Sequence, residues 1–438
     1  MTDNGGLLHE DSGRLRRRFL WGATWLLAGS AAGRLIGLIG TVVVTRLLLP
    51  RGFGQLSLIQ IWVAFLAGVA GLGMNVAITK TAAAARATNL SQVGRLIGLA
   101  IRISALCGGI VAILVLFFRG PLAEMLGDDE LVERLGLASL AVAAGAISSV
   151  ALGALSGLEA FRPVAIVTSV RSVISAALMV IGASWLGVSG AVAGWMIGEC
   201  VAAVYSVLAL TRCCHRLGVP MSRAGTRDAW GPLWRIGIPA LAANVAVVFG
   251  LALGQRLLAE QPLGYQHVAE FNLAYRWSLV VLFIPASITP VLLPLLSNLR
   301  ATRAYNSFVR LLRTNLWLTT MLTALPAGIL VAFREVVLGL SGSSYESSSA
   351  TFVLLMLATV PTALNSILSN AALSLDAVRA WLVSDVALAV TVIGLGWVLI
   401  PRDQSAGLAL AYASGYVVTC IALVLPIRTR VQALEAAR

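Results

Sequence analysis

Leu158-Glu159-Ala160-Phe161-Arg162 recurs far along the chain as Leu375-Asp376-Ala377-Val378-Arg379. Each copy sits in a short polar gap between two long apolar runs. Gly190 opens the apolar run that follows the first copy, and Gly407 opens the run that follows the second, at the same interval as the copies themselves. Pro50-Arg51-Gly52-Phe53 precedes Pro262-Leu263-Gly264-Tyr265 by a slightly shorter interval, also in an equivalent gap. Three anchors at nearly constant offset read as duplication of one unit.

The composition says what that unit is made of. Of the 438 residues, 58% are hydrophobic and 12% charged, and the mean hydropathy is +0.89. A soluble domain carries roughly 25% charged residues to clothe its core, so a soluble globular protein is excluded and the missing solvent is a bilayer. Apolar runs place spans near residues 20 to 45, 55 to 79, 95 to 118, 135 to 156, 164 to 186 and 190 to 210. Six more lie near 236 to 258, 268 to 296, 312 to 333, 350 to 372, 380 to 400 and 405 to 426. At about 20 residues per span no length remains for a separate folded domain. The expected architecture is therefore an all-α polytopic membrane protein of about twelve transmembrane helices. Its parts are a basic tail (1–19), a six-helix lobe (20–210), a basic linker (211–235), a second six-helix lobe (236–426) and a short tail (427–438). Six is even, so both copies insert the same way up. They are then related by a pseudo-twofold axis along the membrane normal, with a cleft between them, which is the architecture of alternating access.

Basic residues number 32 against 19 acidic ones, and only Lys80 among them is lysine. No basic stripe lies outside the short loops, so nucleic-acid binding is not expected. Sorted onto alternate sides the basic residues split 21 to 6, which places both termini in the cytoplasm. The start Arg16-Arg17-Arg18-Phe19-Leu20 resembles a twin-arginine export signal, but the run after it is long, lacks an Ala-x-Ala site and contains Arg34, as expected of a retained first span.

Five arginines fall within spans, Arg34, Arg102, Arg171, Arg256 and Arg276, against two acids counted there, Glu199 and Asp385. A charge at the bilayer centre costs about 2.5 to 3.5 kcal/mol even on the lenient insertion scale, so each needs a partner, water or an escape route. Arg256 is near a span end and can snorkel, as can Arg102. Arg171 and Glu199 lie on consecutive antiparallel spans and can satisfy each other. Arg34 is deep in its span, between Gly33 and Gly37, which leave its helix face open. Arg276 is also deep, and its span then carries Pro285, Pro290 and Pro294, a density expected of a gating helix. The reading is a cationic cavity lined by Arg34, Arg276, Arg102 and Arg171. The planar guanidinium fork, which never deprotonates, suits phosphate. Glu199 and Asp385 are the candidates for ion or proton coupling.

Other chemistries lack their residues. The five cysteines suggest no disulfide framework, and Cys213-Cys214-His215 falls short of the four spaced ligands of a structural zinc. With three histidines, no Walker loop and no HExxH, neither an enzyme, a metal nor a cofactor is expected. Gly190, Gly194 and Gly198 read as helix packing.

Several motifs carry a resemblance. Pro50 to Gln55, Gly71-Leu72-Gly73, Gly157 to Arg162, Ile236-Gly237-Ile238-Pro239, Ala274-Tyr275-Arg276, Leu293 to Ser297 and the Gly407 region occur in the order and spacing of a known family. Through them the chain resembles polysaccharide flippases of the multidrug/oligosaccharidyl-lipid/polysaccharide (MOP) exporter superfamily. The resemblance implies a bacterial inner-membrane transporter with two six-helix lobes. Its cargo would be an undecaprenyl-pyrophosphate-linked oligosaccharide, carried from the inner to the outer leaflet for surface polysaccharide. Its partners would be membrane lipid and the polymerase and glycosyltransferases of the same pathway. In the lipid II branch of that superfamily, arginines on spans one and eight line the cavity, and Arg34 and Arg276 fall on those spans. The alternatives are a drug/cation antiporter of the same superfamily and, from another class, a membrane polymerase or glycosyltransferase. The antiporter calls for more carboxylates. The polymerase calls for a long outer loop with acid/base residues, whereas the longest here runs from about 119 to 134.

Overall fold

The computed structural model describes residues 5–86, 89–220, 227–301, 303–375 and 377–436, with side chains described outside 5–32, 227–229, 284, 288–291, 293, 294, 298, 301, 347 and 433–436. The elements are α1 (Gly5–Ala70), α2 (Met74–Arg86), α3 (Leu90–Phe117), α4 (Arg119–Leu126), α5 (Leu131–Gly157), α6 (Phe161–Arg216) and α7 (Arg227–Ala259). They continue with α8 (Gly264–Val281), α9 (Phe283–Ala301), α10 (Tyr305–Ala332), α11 (Arg334–Gly339), a 3-10 turn (Ser343–Ser348), α12 (Ser349–Ser374) and α13 (Val378–Ala436).

Eight of these helices are long and apolar enough to cross a bilayer. Three of them, α1, α6 and α13, are two spans each. Non-helical backbone interrupts them at Leu49, at Leu186 and Gly187, and at Gln404. The α8–α9 pair supplies the twelfth. The α6 break is a hairpin, because Gly182 faces Gly190, Leu178 faces Gly194 and Ser175 faces Gly198 across it. In α13 Leu399 faces Gly407 in the same way, and Gln404 follows Gly187 at the same interval that separates Gly407 from Gly190. A β carbon on Gly190 or Gly407 would overlap the facing backbone, so these glycines set how closely each hairpin closes. The chain is an all-helical two-lobe bundle.

Two spans are interrupted where the sequence reading drew them continuous. Span two breaks at Gly71 to Gly73, with Leu72 and Gly73 at positive φ, and Gly73 presses on the backbone of Gly237 and Leu241 in span seven. Span eight breaks at Leu282. Pro285 has no N–H for the carbonyl of Val281, the last residue of α8, which accounts for the break. The backbone of α9 then stays helical past Pro290 and Pro294, so three prolines produce one interruption. Helix also extends beyond the expected spans at the linker, where α6 reaches Arg216 and α7 starts by Arg227, and at the expected N-terminal tail, where α1 starts at Gly5. No proline precedes Pro50 to stop α1.

Buried apolar side chains form one cluster shared by both lobes and two confined to the opposite ends of the spans. The shared cluster runs from Val44, Leu48, Phe53, Leu126 and Leu131 to Leu258, Phe271, Ile400 and Leu408, near the loops on the face away from the termini. On the terminal face the first lobe has its own cluster around Ile78, Leu96 and Leu155, joined by Leu233 of α7. The second lobe has another around Leu292, Phe308 and Leu423. The lobes thus share one apolar core at the far half, while toward the termini their buried clusters are divided, with span seven still packed on the end of span two. Large exposed apolar residues such as Phe117, Trp185 and Leu425 cover the outside, a surface that would aggregate in water and suits lipid.

Candidate functional site: an arginine-lined cavity

Small residues bring span one onto span five. Gly33, Gly37 and Gly40 face Ser169, Ser172 and Ala176, and the helices run in the same direction. The glycines therefore do not leave an open face beside Arg34, as the sequence suggested; they dock its helix and fix which way it turns. A cavity of about 450 Å³ lies beside this contact, lined by Arg34, Arg171, Glu199, Arg276, Gln60 and Trp195 among others. Among the described residues its walls come from spans one, two, five and six of the first lobe, and the second lobe closes it with span eight. The site is therefore less symmetric than a cleft shared equally by two repeats.

Each guanidinium is held differently. Arg171 Nε and Nη2 donate to Glu199 Oε1 at 3.0 and 2.8 Å; the carboxylate side chain is 5% exposed and the arginine 41%. The pair weighed from the sequence is thus formed, and inside the cavity. Arg276 Nη2 donates to Gln60 Oε1 at 2.6 Å, across the lobe boundary. Arg34 Cζ lies 4.9 Å from the ring centroid of Phe283 at the start of α9, a cation–π contact that also crosses the boundary. Arg171 is close enough for its charge to bear on Arg276. Among the described residues three guanidiniums thus converge with one carboxylate, and like charges so placed are stabilised by an anion between them.

Hydroxyls complete the wall. Thr168, Ser169, Ser172 and Ser175 line the cavity with Arg171, and Ser175 Oγ is buried without a hydrogen-bond partner among the described residues. These positions recur at helical spacing along span five, a polar stripe inside an apolar run. That signal was present in the sequence and unused, as was Gln60.

Arg102 does not belong to this lining. It is exposed and its Nε donates to Gly98 O, one turn back on α3, at 2.8 Å. Asp385 is also apart, 8% exposed in α13 and beside Tyr416. Arg256, 28% exposed, is held at the outer end of its span: its Nε donates to Met125 O at 2.7 Å and its Nη2 pairs with the half-exposed Glu260. A third acid, Glu270, also lies inside the expected limits of span eight. It is buried, accepting from Ser405 Oγ at 2.6 Å and lying 3.1 Å from His267 Nδ1. Pro285 follows the span-eight break, and the side chains of Pro290 and Pro294 lie outside the described residues.

A family model described as polysaccharide biosynthesis protein matches residues 19–300, the whole first lobe together with spans seven and eight. Among solved structures the fold is similar to the lipid II flippase MurJ in an inward closed conformation, at 14% identity and a TM-score of 0.75, covering 94% of this chain and 90% of that one. It is similar to an inward-facing multidrug resistance MATE family transporter of the MOP superfamily, at 16% identity and a TM-score of 0.73, covering 92% of this chain and 96% of that one. A MOP superfamily transporter from Pyrococcus furiosus, described by the reverse polarity of its binding pocket, is similar at 15% identity and a TM-score of 0.68, covering 94% and 97%. No curated protein matches the sequence. At such identities the likeness to solved structures is one of fold.

Proposed function

This chain belongs to the polysaccharide biosynthesis protein family, and we propose that it flips an undecaprenyl-pyrophosphate-linked oligosaccharide from the inner to the outer leaflet by alternating access. The observation that carries this reading is the convergence of Arg34, Arg171 and Arg276 on one cavity whose described lining holds a single carboxylate. A diphosphate matches the charge left over, and its oxygens suit the forked donors. The span-five hydroxyls and Trp195 offer sugar-binding contacts behind the phosphates, and the lipid tail stays in the membrane between lobes whose buried cores are divided toward the termini. The 21-to-6 arginine and lysine split supports placing that terminal face in the cytoplasm, where the loaded lipid is made.

A drug/cation antiporter fits the cavity less well, because the one acid in its described lining, Glu199, is already paired with Arg171. In a strain deleted for the gene, Arg34→Ala and Arg276→Ala variants should fail to restore surface polymer and should strand lipid-linked units on the cytoplasmic side. Wild-type export by both variants would discard the reading. Single units stranded at the outer face would instead indicate a polymerase, and resistance conferred on a drug-sensitive host would indicate the antiporter.

A further inference from the structure

The duplicated halves meet at the face away from the termini through a pair of equivalent contacts. Arg46-Leu47-Leu48 ends span one, and Arg256-Leu257-Leu258 ends span seven, its counterpart in the second lobe. The short helices α4 and α11 are equivalent too: each begins at the arginine of a Phe-Arg step, Phe118-Arg119 in the first lobe and Phe333-Arg334 in the second. Arg256 of the second lobe donates Nε to Met125 O at 2.7 Å, at the C-terminal end of α4 in the first lobe. Arg46 of the first lobe donates Nε to Leu340 O at 2.7 Å and Nη2 to Gly339 O at 3.3 Å, at the C-terminal end of α11 in the second. The last carbonyls of a helix have no intrahelical partner, so a charged donor supplied from elsewhere satisfies them, and at Gly339 O it joins the backbone N–H of Gly342 at 3.2 Å. Tyr265 Oη adds a bond to Leu126 O at 3.1 Å on the Arg256 side, and burial with the nearby charge of Asp128 pushes its phenol well above the ordinary tyrosine range, so it stays a donor.

We propose that Arg46 and Arg256 are the two halves of one reciprocal lock, each lobe capping the other's short helix, that holds the far mouth closed. The bonds lie where the apolar core is continuous between the lobes, opposite the half where it is divided. Because each arginine grips the other lobe, a rocking motion that parts the far ends breaks both together. The lock rests on the rocking-lobe reading above, but it is tested without cargo.

The test is hydrogen–deuterium exchange on the purified full chain in lipid nanodiscs, comparing wild type with Arg46→Ala, Arg256→Ala, Arg256→Lys and Tyr265→Phe. The described side-chain hydrogen bonds of Arg46 go to the end of α11, yet Arg46→Ala should raise exchange by about threefold in α4 as well, and Arg256→Ala should do the same in α11. Tyr265→Phe, which deletes a single bond, should give a smaller rise in both helices. If each substitution loosens only the helix it caps, or neither helix, the reciprocal lock is wrong. Should Arg256→Ala fail to fold, Arg256→Lys, which keeps the charge and loses the fork, decides by the same pattern. Coupled exchange in a protein that binds no diphosphate would leave the lock standing and remove the cargo.

Discussion

Arg276 on span eight donates a 2.6 Å hydrogen bond to Gln60 on span two, so a deep guanidinium of the second lobe is held by a neutral acceptor of the first. The neutrality matters: an amide orients the fork without cancelling its charge, and the cavity keeps its attraction for an anion. Gln60→Glu places a carboxylate at that position. It should weaken diphosphate binding by about tenfold or more and raise the melting temperature, whereas Gln60→Ala should weaken binding less. Titration of both variants checks the order; tighter binding by Gln60→Glu would contradict it.

Glu199 is 5% exposed at its side chain and its described ion-pair partner is Arg171. Its role in this account is to hold that arginine toward the cavity. Glu199→Ala should cost about 1 to 3 kcal/mol of stability, discounted from the full penalty of a broken buried pair because Arg171 is 41% exposed. The double change Arg171→Leu/Glu199→Leu should cost less than the two single changes added together. Thermal unfolding of the purified set measures this, and additive losses would show that the pair is not coupled.

The engagement of Glu199 leaves Asp385 as the candidate for coupling. It is buried in span eleven and has no ion pair among the described residues. Asp385→Asn should flatten the dependence of transport on pH or sodium while leaving diphosphate affinity near wild type. Glu199→Gln should retain that dependence. The reverse pattern in reconstituted vesicles would move the coupling role to Glu199.

Gly190 against Gly182 and Gly407 against Leu399 are equivalent hairpin contacts. Leucine at either glycine overpacks its hairpin, and Gly190→Leu and Gly407→Leu should each cost about 1 to 3 kcal/mol. A loss confined to one site would argue against equal roles in the two repeats, and unfolding in detergent distinguishes the cases.

The membrane architecture was legible because a bilayer demands long apolar runs and satisfied backbones, and both leave marks in the sequence. The repeat was legible because turns need particular residues: the anchors at Gly190 and Gly407 lie just beyond the breaks at Gly187 and Gln404. Depth along a helix was legible as well, which is why Arg34 and Arg276 stood out. Rotation about the helix axis was not. Arg102 and Arg171 are both intramembrane arginines, but neighbours in space decide that one folds onto Gly98 and the other onto Glu199. The same limit hid the partners of Arg256 and Arg46, whose carbonyls lie 131 and 294 residues away in sequence. Glu270 was missed because it sits at a span edge, where an acid reads as solvated; its burial depends on Ser405 from the far end of the chain.

The most direct measurement is the affinity of the purified protein in nanodiscs for undecaprenyl pyrophosphate, with the monophosphate as comparator, in wild type, Arg34→Ala and Arg276→Ala. Loss of a charge-assisted bond of ~1.5 to 3 kcal/mol should lower diphosphate affinity by about 10- to 100-fold in each folded variant and narrow the preference over monophosphate. Wild-type affinity in both folded variants would mean that the cavity arginines do not hold the cargo.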